Sequence, residues 1–201
     1  MAELKRTVLM THLDQDQGKI WQISLTHQGV DVIWDMANVD LVERLEQLLR
    51  SNNLPDLLLM DTGIKNPNAE SLQSGSVCQW ITKKKVALQV ILFNPRQDRI
   101  KDIEHSWALR RGAVDVLPRL TGENLVLLTA RVTGLLGCTF IQEPIERLAN
   151  QMVLQDVASS PTVANAPNAS KAVVDGSQSS KKQTPDPDDS AIMYRGVRIR
   201  R

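Results

Sequence analysis

The sequence predicts an α/β fold, a parallel sheet covered by helices, and three observations carry that expectation. Short apolar runs alternate with amphipathic stretches up to about Gln155, the pattern of repeated strand–helix units. One run, Pro55-Asp56-Leu57-Leu58-Leu59-Met60-Asp61, is apolar without polar alternation, as a strand buried on both faces must be, and it ends on a lone carboxylate. A chain of 201 residues, 42% hydrophobic and 23% charged, supplies one core of domain size plus additional sequence.

The strand candidates are Thr7 to Met10, Val30 to Trp34, Leu57 to Met60, Val90 to Phe93 and Val114 to Leu117. Between them, Leu41, Val42, Leu45, Leu48 and Leu49 fall on one face of a helix, and Ile100, Ile103 and Trp107 do the same on another. Each stripe is expected to cover the sheet, with Trp107 in the core; Trp21 and Trp34 fit either core or contact positions. Lys83-Lys84-Lys85 suits the end of the third helix, where positive charge meets the dipole. Thr121 or Asn124 caps the next helix, whose stripe is Leu125, Leu128, Val132, Leu135 and Leu136, and whose end Gly134 and Gly137 weaken. Pro144 then breaks or kinks the pattern, and Ile145, Leu148 and Met152 predict a further amphipathic helix over 141–157, packed on this domain or on another chain.

From Ala158 to about Ser190 the chain is rich in Ser, Pro, Asn, Ala, Lys and Asp, and buries too little to offset its ordering entropy. A flexible, disordered linker over 158–190 is expected. The terminal stretch, 191–201, alternates apolar and basic residues, with Tyr194, Arg195, Val197, Arg198, Ile199 and Arg200 as candidate partner-binding residues. It suits either an added edge strand or an acidic surface, and equally a solvated basic tail. The division expected is therefore a domain over 1–140, a helix over 141–157, the linker, and the terminal peptide.

Several function classes have little to stand on. A net charge of +1 provides no global field for nucleic acid or an anionic membrane. Cys78 and Cys138 form neither a zinc motif nor a disulfide framework and fit a reducing cytoplasm. No stretch approaches the roughly 18 apolar residues of a membrane span. No Ser/His/Asp set, Cys/His pair or glycine-rich phosphate loop marks an enzyme, and no helix-turn-helix pattern follows Ala158.

Asp61 is the leading candidate for function, because ligands in open α/β sheets gather outside the carboxyl ends of the strands. Asp also starts turns and caps helices, and Thr62-Gly63 follows directly. The strand Pro55 to Asp61, together with Arg111-Gly112-Ala113-Val114-Asp115-Val116-Leu117-Pro118-Arg119, resembles the response-regulator receiver domain over about Lys5 to Leu136.

That resemblance implies a doubly wound, flavodoxin-like five-stranded parallel sheet in the order 2-1-3-4-5, and phosphoryl transfer from a histidine kinase to Asp61. The rest of the family's site departs from its pattern. The acidic pair that holds Mg²⁺ aligns with Thr11 and His12, and Asp14 and Asp16 lie about 7 Å further on, against a metal bond of about 2.1 Å. His12 is expected to be an exposed loop residue with no metal. Asn94 stands where a hydroxyl is usual, Arg119 replaces the phosphate-pairing Lys, and Val116 replaces an aromatic. The chain thus resembles an atypical or pseudo-receiver, with Asp61 as candidate phosphoacceptor, Asn94 and Arg119 as phosphate-site or switch candidates, and an Asp61–Arg119 ion pair as the structural alternative. Mg²⁺ is implied only if Asp61 accepts phosphate.

The function implied is a cytoplasmic signalling or adaptor protein, not an enzyme, acting through contacts with a histidine kinase or another protein. The alternative is a phosphorylation-independent scaffold or assembly subunit of a larger complex. By the same resemblance a homodimer would use the fourth and fifth helical faces first, and the helix after Pro144 next. Tyr194-Arg195-Gly196-Val197 also resembles a short Tyr-Arg-Gly element of cyanobacterial proteins, which implies a photosynthetic source.

Overall fold

Five short strands, β1 (Thr7–Thr11), β2 (Asp31–Asp35), β3 (Leu57–Asp61), β4 (Gln89–Asn94) and β5 (Asp115–Pro118), pair in parallel in the order β2-β1-β3-β4-β5. The computed structural model describes residues 5–35, 38–159, 193–194 and 197–198. Helices α1 (Gln15–His27), α2 (Leu41–Arg50), α3 (Gln73–Lys84), α4 (Asp102–Arg110) and α5 (Leu125–Leu135) return the chain between strands or follow the last one. The expected fold class is the observed one. β2 and β5 start one residue later than the apolar runs suggest, at Asp31 and Asp115, because the ladder begins where pairing does and not where hydrophobicity does.

The sheet is buried on both faces, so successive strand residues feed two cores. Val8, Met10, Leu57, Leu59, Ile91, Phe93 and Leu117 pack with Trp21 and Leu25 of α1 and Leu125, Leu128 and Val132 of α5. Leu9, Leu58, Met60, Val90, Leu92 and Val116 pack on the other side with Leu41 and Leu45 of α2 and Val77 and Trp80 of α3. Trp21 is a core residue, whereas Trp34 on the edge strand lies over Gly18, where a Cβ would come within 2.4 Å of its ring.

One expected stripe covers the sheet only in part: Ile100, which precedes α4, packs against the second core, but Ile103 and Trp107 do not. Of α4 only Ala108 is buried, whereas Ile103 is 73% exposed and Trp107 43% exposed. The reason is the small residue: Ala108 lies against the sheet, and the larger side chains fall on a flank of the helix, where Arg111 stacks on the Trp107 ring 4.2 Å from its centroid.

The helix expected over 141–157 is α6 (Gln142–Ser159); Pro144 lies in its first turn instead of breaking the pattern ahead of it, because a proline there costs no intrahelical hydrogen bond, and the helix packs back on this domain against α1 and α5. Ile145 and Ala149 are buried in the first core, with Leu148 and Met152 beside them. Its start is pinned by a buried glutamine: Gln28 Nε2 donates to the Ile141 carbonyl at 2.8 Å, and Ile141 N–H donates to Gln28 Oε1 at 2.7 Å. Gln17 clamps Leu120 in the same way, at 3.1 and 2.7 Å.

In the separate unit Thr162–Arg201, β6 (Met193–Tyr194) and β7 (Val197–Arg198) form an antiparallel pair. The linker expected over 158–190 lies outside the described residues except where α6 ends, as do the candidates Arg195, Ile199 and Arg200. No helix among the described residues is long and apolar enough to cross a membrane.

Candidate functional site

Three loops, leaving β1, β3 and β4, meet around the side chain of Asp61. The residue closes β3 in the sheet and is 2% exposed. Its Oδ1 accepts from Gly63 N–H at 2.7 Å, an Asx-type turn that redirects the chain towards α3, and Oδ2 accepts from Leu13 N–H at 3.4 Å. The carboxylate is thus at once a strand end and a turn residue. Burial pushes its carboxyl above the ordinary aspartate value and outweighs the two amides and the Arg96 charge, which pull it down; Asp14 adds a smaller upward push. A Cβ at Gly63 would sit 3.3 Å from Asp61 Oδ1 and 3.4 Å from Leu13 Cδ1, so the backbone of one loop and a leucine of another close over the acid.

The other candidate residues stand on the neighbouring strand ends without touching it. Asn94 closes β4, and its Oδ1 accepts from Arg96 N–H at 3.1 Å, which shapes the turn after Pro95. Asn94 and Thr62 line a groove beneath α4. Arg119 follows β5 and is exposed; its N–H donates to the Gln97 carbonyl at 2.7 Å and its carbonyl accepts from Asn124 Nδ2 at 2.9 Å. The expected Asp61–Arg119 ion pair does not form. Pro118 ends the strand in register with Asn94, and the backbone beyond it ties to the loop after β4. The cation whose field reaches Asp61 is Arg96, which the sequence offered only as a basic residue two positions past a strand end.

His12 is buried, not exposed, at 4%. Asp14 caps α1 by accepting from Asp16 N–H and Gln17 N–H, both at 3.1 Å, so the helix starts too soon after β1 for His12 to leave the interior. Its ring meets Phe93 edge-on at 4.9 Å, Phe93 in turn meets Trp21 at 5.8 Å, and neither ring nitrogen has a hydrogen-bond partner. Burial lowers its pKa from 6.5 to about 4, against a smaller upward push from Asp14.

These side chains do not fit Mg²⁺. The ion takes carboxylate or carbonyl oxygens in a near-octahedral shell. Both Asp61 oxygens already accept backbone N–H groups, Asp14 is turned to its helix, and His12 offers nitrogen inside an apolar shell. No group of three or more His, Cys, Asp or Glu placed to hold a metal occurs among the described residues.

No protein-family model matches the sequence, and no curated protein does. Solved structures do match. The signal receiver domain of a Luxo repressor protein from Vibrio parahaemolyticus is 14% identical with a TM-score of 0.51, over 78% of this chain and 99% of that one. A response regulator from Thermotoga maritima is 19% identical with a TM-score of 0.51, over 67% of this chain and 99% of that one. Nothing in these matches supports the Tyr-Arg-Gly resemblance of the terminus. With five parallel strands in the order 2-1-3-4-5 and an aspartate at the end of the third, the chain has the fold of a response-regulator receiver domain.

Proposed function

We propose that this chain is a receiver-fold signalling or adaptor module that works through protein–protein contacts and not through an acyl phosphate on Asp61. The observation that carries this reading is the closed cup: Asp61 is buried, both of its oxygens are engaged by backbone amides, and no acidic pair stands beside it. Phosphoryl transfer is largely positioning and charge neutralisation around an exposed in-line acceptor. Beside Asp61 this cup provides Arg96 as a nearby cation and Asp14 as a single further carboxylate, which is engaged in capping α1, and no third metal-ligating group joins them among the described residues. Asn94 already spends its carbonyl oxygen on the Arg96 backbone, so its switching is tied to the loop after β4.

The test is an amide NMR titration of the full chain with Mg²⁺ followed by beryllium fluoride, an acyl-phosphate mimic, with Asp61→Asn as control. The expected result is no shift centred on Asp61, Thr62 or Asn94. Saturable shifts there that vanish in Asp61→Asn would establish a working acceptor site at Asp61 and overturn this reading.

A further inference from the structure

The exposed flank of α4 faces a valley, and the valley has two chemically different ends. A groove of about 400 Å³ is walled by Leu92, Val116, Ile100, Ile103 and Trp107, with Glu104 beside them and Thr62 and Asn94 where it reaches the strand ends. A second cavity, of about 520 Å³, is lined by Gly75, Gln79, Thr82 and Lys83 of α3 and by Arg111 after α4. The two meet at one stack, because the guanidinium over the Trp107 ring belongs to the Arg111 that lines the second cavity.

We infer that this valley along α4 binds a small amphipathic anion, an apolar or aromatic body carrying one phosphate or carboxylate, with the body against Ile100, Ile103 and Trp107 and the anion on Lys83 and Arg111. Charge fixes the class of ligand. Neither Lys83 nor Arg111 is in an ion pair among the described residues, although the neighbouring Lys84 pairs with Glu46 at 3.2 Å. Charge also fixes the orientation, since Glu104, which accepts from Gln97 Nε2 at 3.2 Å, opposes an anion at the apolar end.

The position of Arg111 is built. Its Nη1 would lie 3.1 Å from a Cβ at Gly75, so the bare backbone at that residue of α3 seats the guanidinium while Trp107 holds its face. A guanidinium fixed in this way recognises a planar or tetrahedral anion with little further ordering cost. The valley volumes are those of small-molecule sites, which place a few polar groups beside a mostly apolar wall. The apolar end of the valley reaches Thr62 and Asn94 beside the Asp61 cup, whereas the anion contacts, Lys83 and Arg111, lie at the other end, and the inference does not rest on the adaptor function.

The experiment titrates the full chain with monomeric decyl phosphate and, in parallel, with decanol, followed by amide NMR. The expected outcome is saturable binding of decyl phosphate with shifts at Gly75, Gln79, Ile103 and Trp107, and decanol about tenfold weaker or worse. The double variant Lys83→Ala, Arg111→Ala, exposed at both positions, should lose that preference, and Trp107→Ala should weaken both ligands. The inference is overturned if decyl phosphate leaves the valley unshifted at about 1 mM. It is equally overturned if the double variant keeps the preference. Sedimentation with anionic phospholipid vesicles, without shifts from free decyl phosphate, would replace the pocket with a membrane-facing surface.

Discussion

Acidification through the range between pH 6.5 and about 4 is expected to remove on the order of 3 kcal/mol of folding stability through His12. The unfolded chain binds the His12 proton near 6.5, whereas the folded chain resists it until about 4, because the ring is buried against Phe93 with both nitrogens unpaired. The folded-state pKa is depressed, so the unfolded state holds more protons in that window. Stability is complete above the unfolded value and drains away as the pH falls. Asp61 acts in the opposite sense: its raised carboxyl pKa gives stability at low pH that is lost as the pH rises. The His12 contribution is therefore read as a difference. Urea unfolding of the chain and of His12→Leu at a series of pH values should show a steep fall in the former and a much shallower one in the latter. Identical slopes would sink the assignment.

The second large effect belongs to Gln73. Gln73→Ala is expected to cost about 3 kcal/mol, with the denaturant midpoint lowered and the slope unchanged. The side chain is 1% exposed; its Oε1 accepts from Leu41 N–H at 2.7 Å, and its Nε2 donates to the carbonyls of Val39 at 2.8 Å and Lys65 at 3.0 Å. One amide thus satisfies three backbone groups from two loops, the one that starts α2 and the one that leaves the Asp61 cup. Truncation leaves the buried Leu41 N–H without a partner and frees the part-buried carbonyls of Val39 and Lys65 from the amide that ties the two loops together. Gln73→Glu should be damaging too, because the carboxylate keeps the acceptor and loses both donors. A Gln73→Ala variant within about 0.5 kcal/mol of the parent would show that those backbone groups find other partners.

The strands were legible because burial on both faces leaves an apolar run with sharp polar ends, as at Leu57 to Asp61. Asp61 itself could be placed because a strand end follows from the same pattern. The flank of α4 was not, since periodicity at Ile100, Ile103 and Trp107 reports a shared face but not what that face meets, and the small Ala108 makes the contact with the sheet. His12 was misplaced because the cap at Asp14 shortens the loop, which the spacing of apolar residues does not register. The three buried glutamines, Gln17, Gln28 and Gln73, carry no periodic signal at all; their value lies in partners as far as 113 positions away. Arg96 took the place expected for Arg119 because a loop geometry, not a strand register, decides which cation faces the acid.

The docking of α6 has a competitive consequence. Residues 136–141 are all that join α5 to α6, so the helix meets the seam between α1 and α5 at an effective concentration on the order of millimolar. Any foreign helix seeking the seat of Ile145 and Ala149 must first displace this tethered occupant and break the Gln28 clamp. The seam is in effect inhibited by its own chain, and outside partners are left to compete for the opposite side of the sheet.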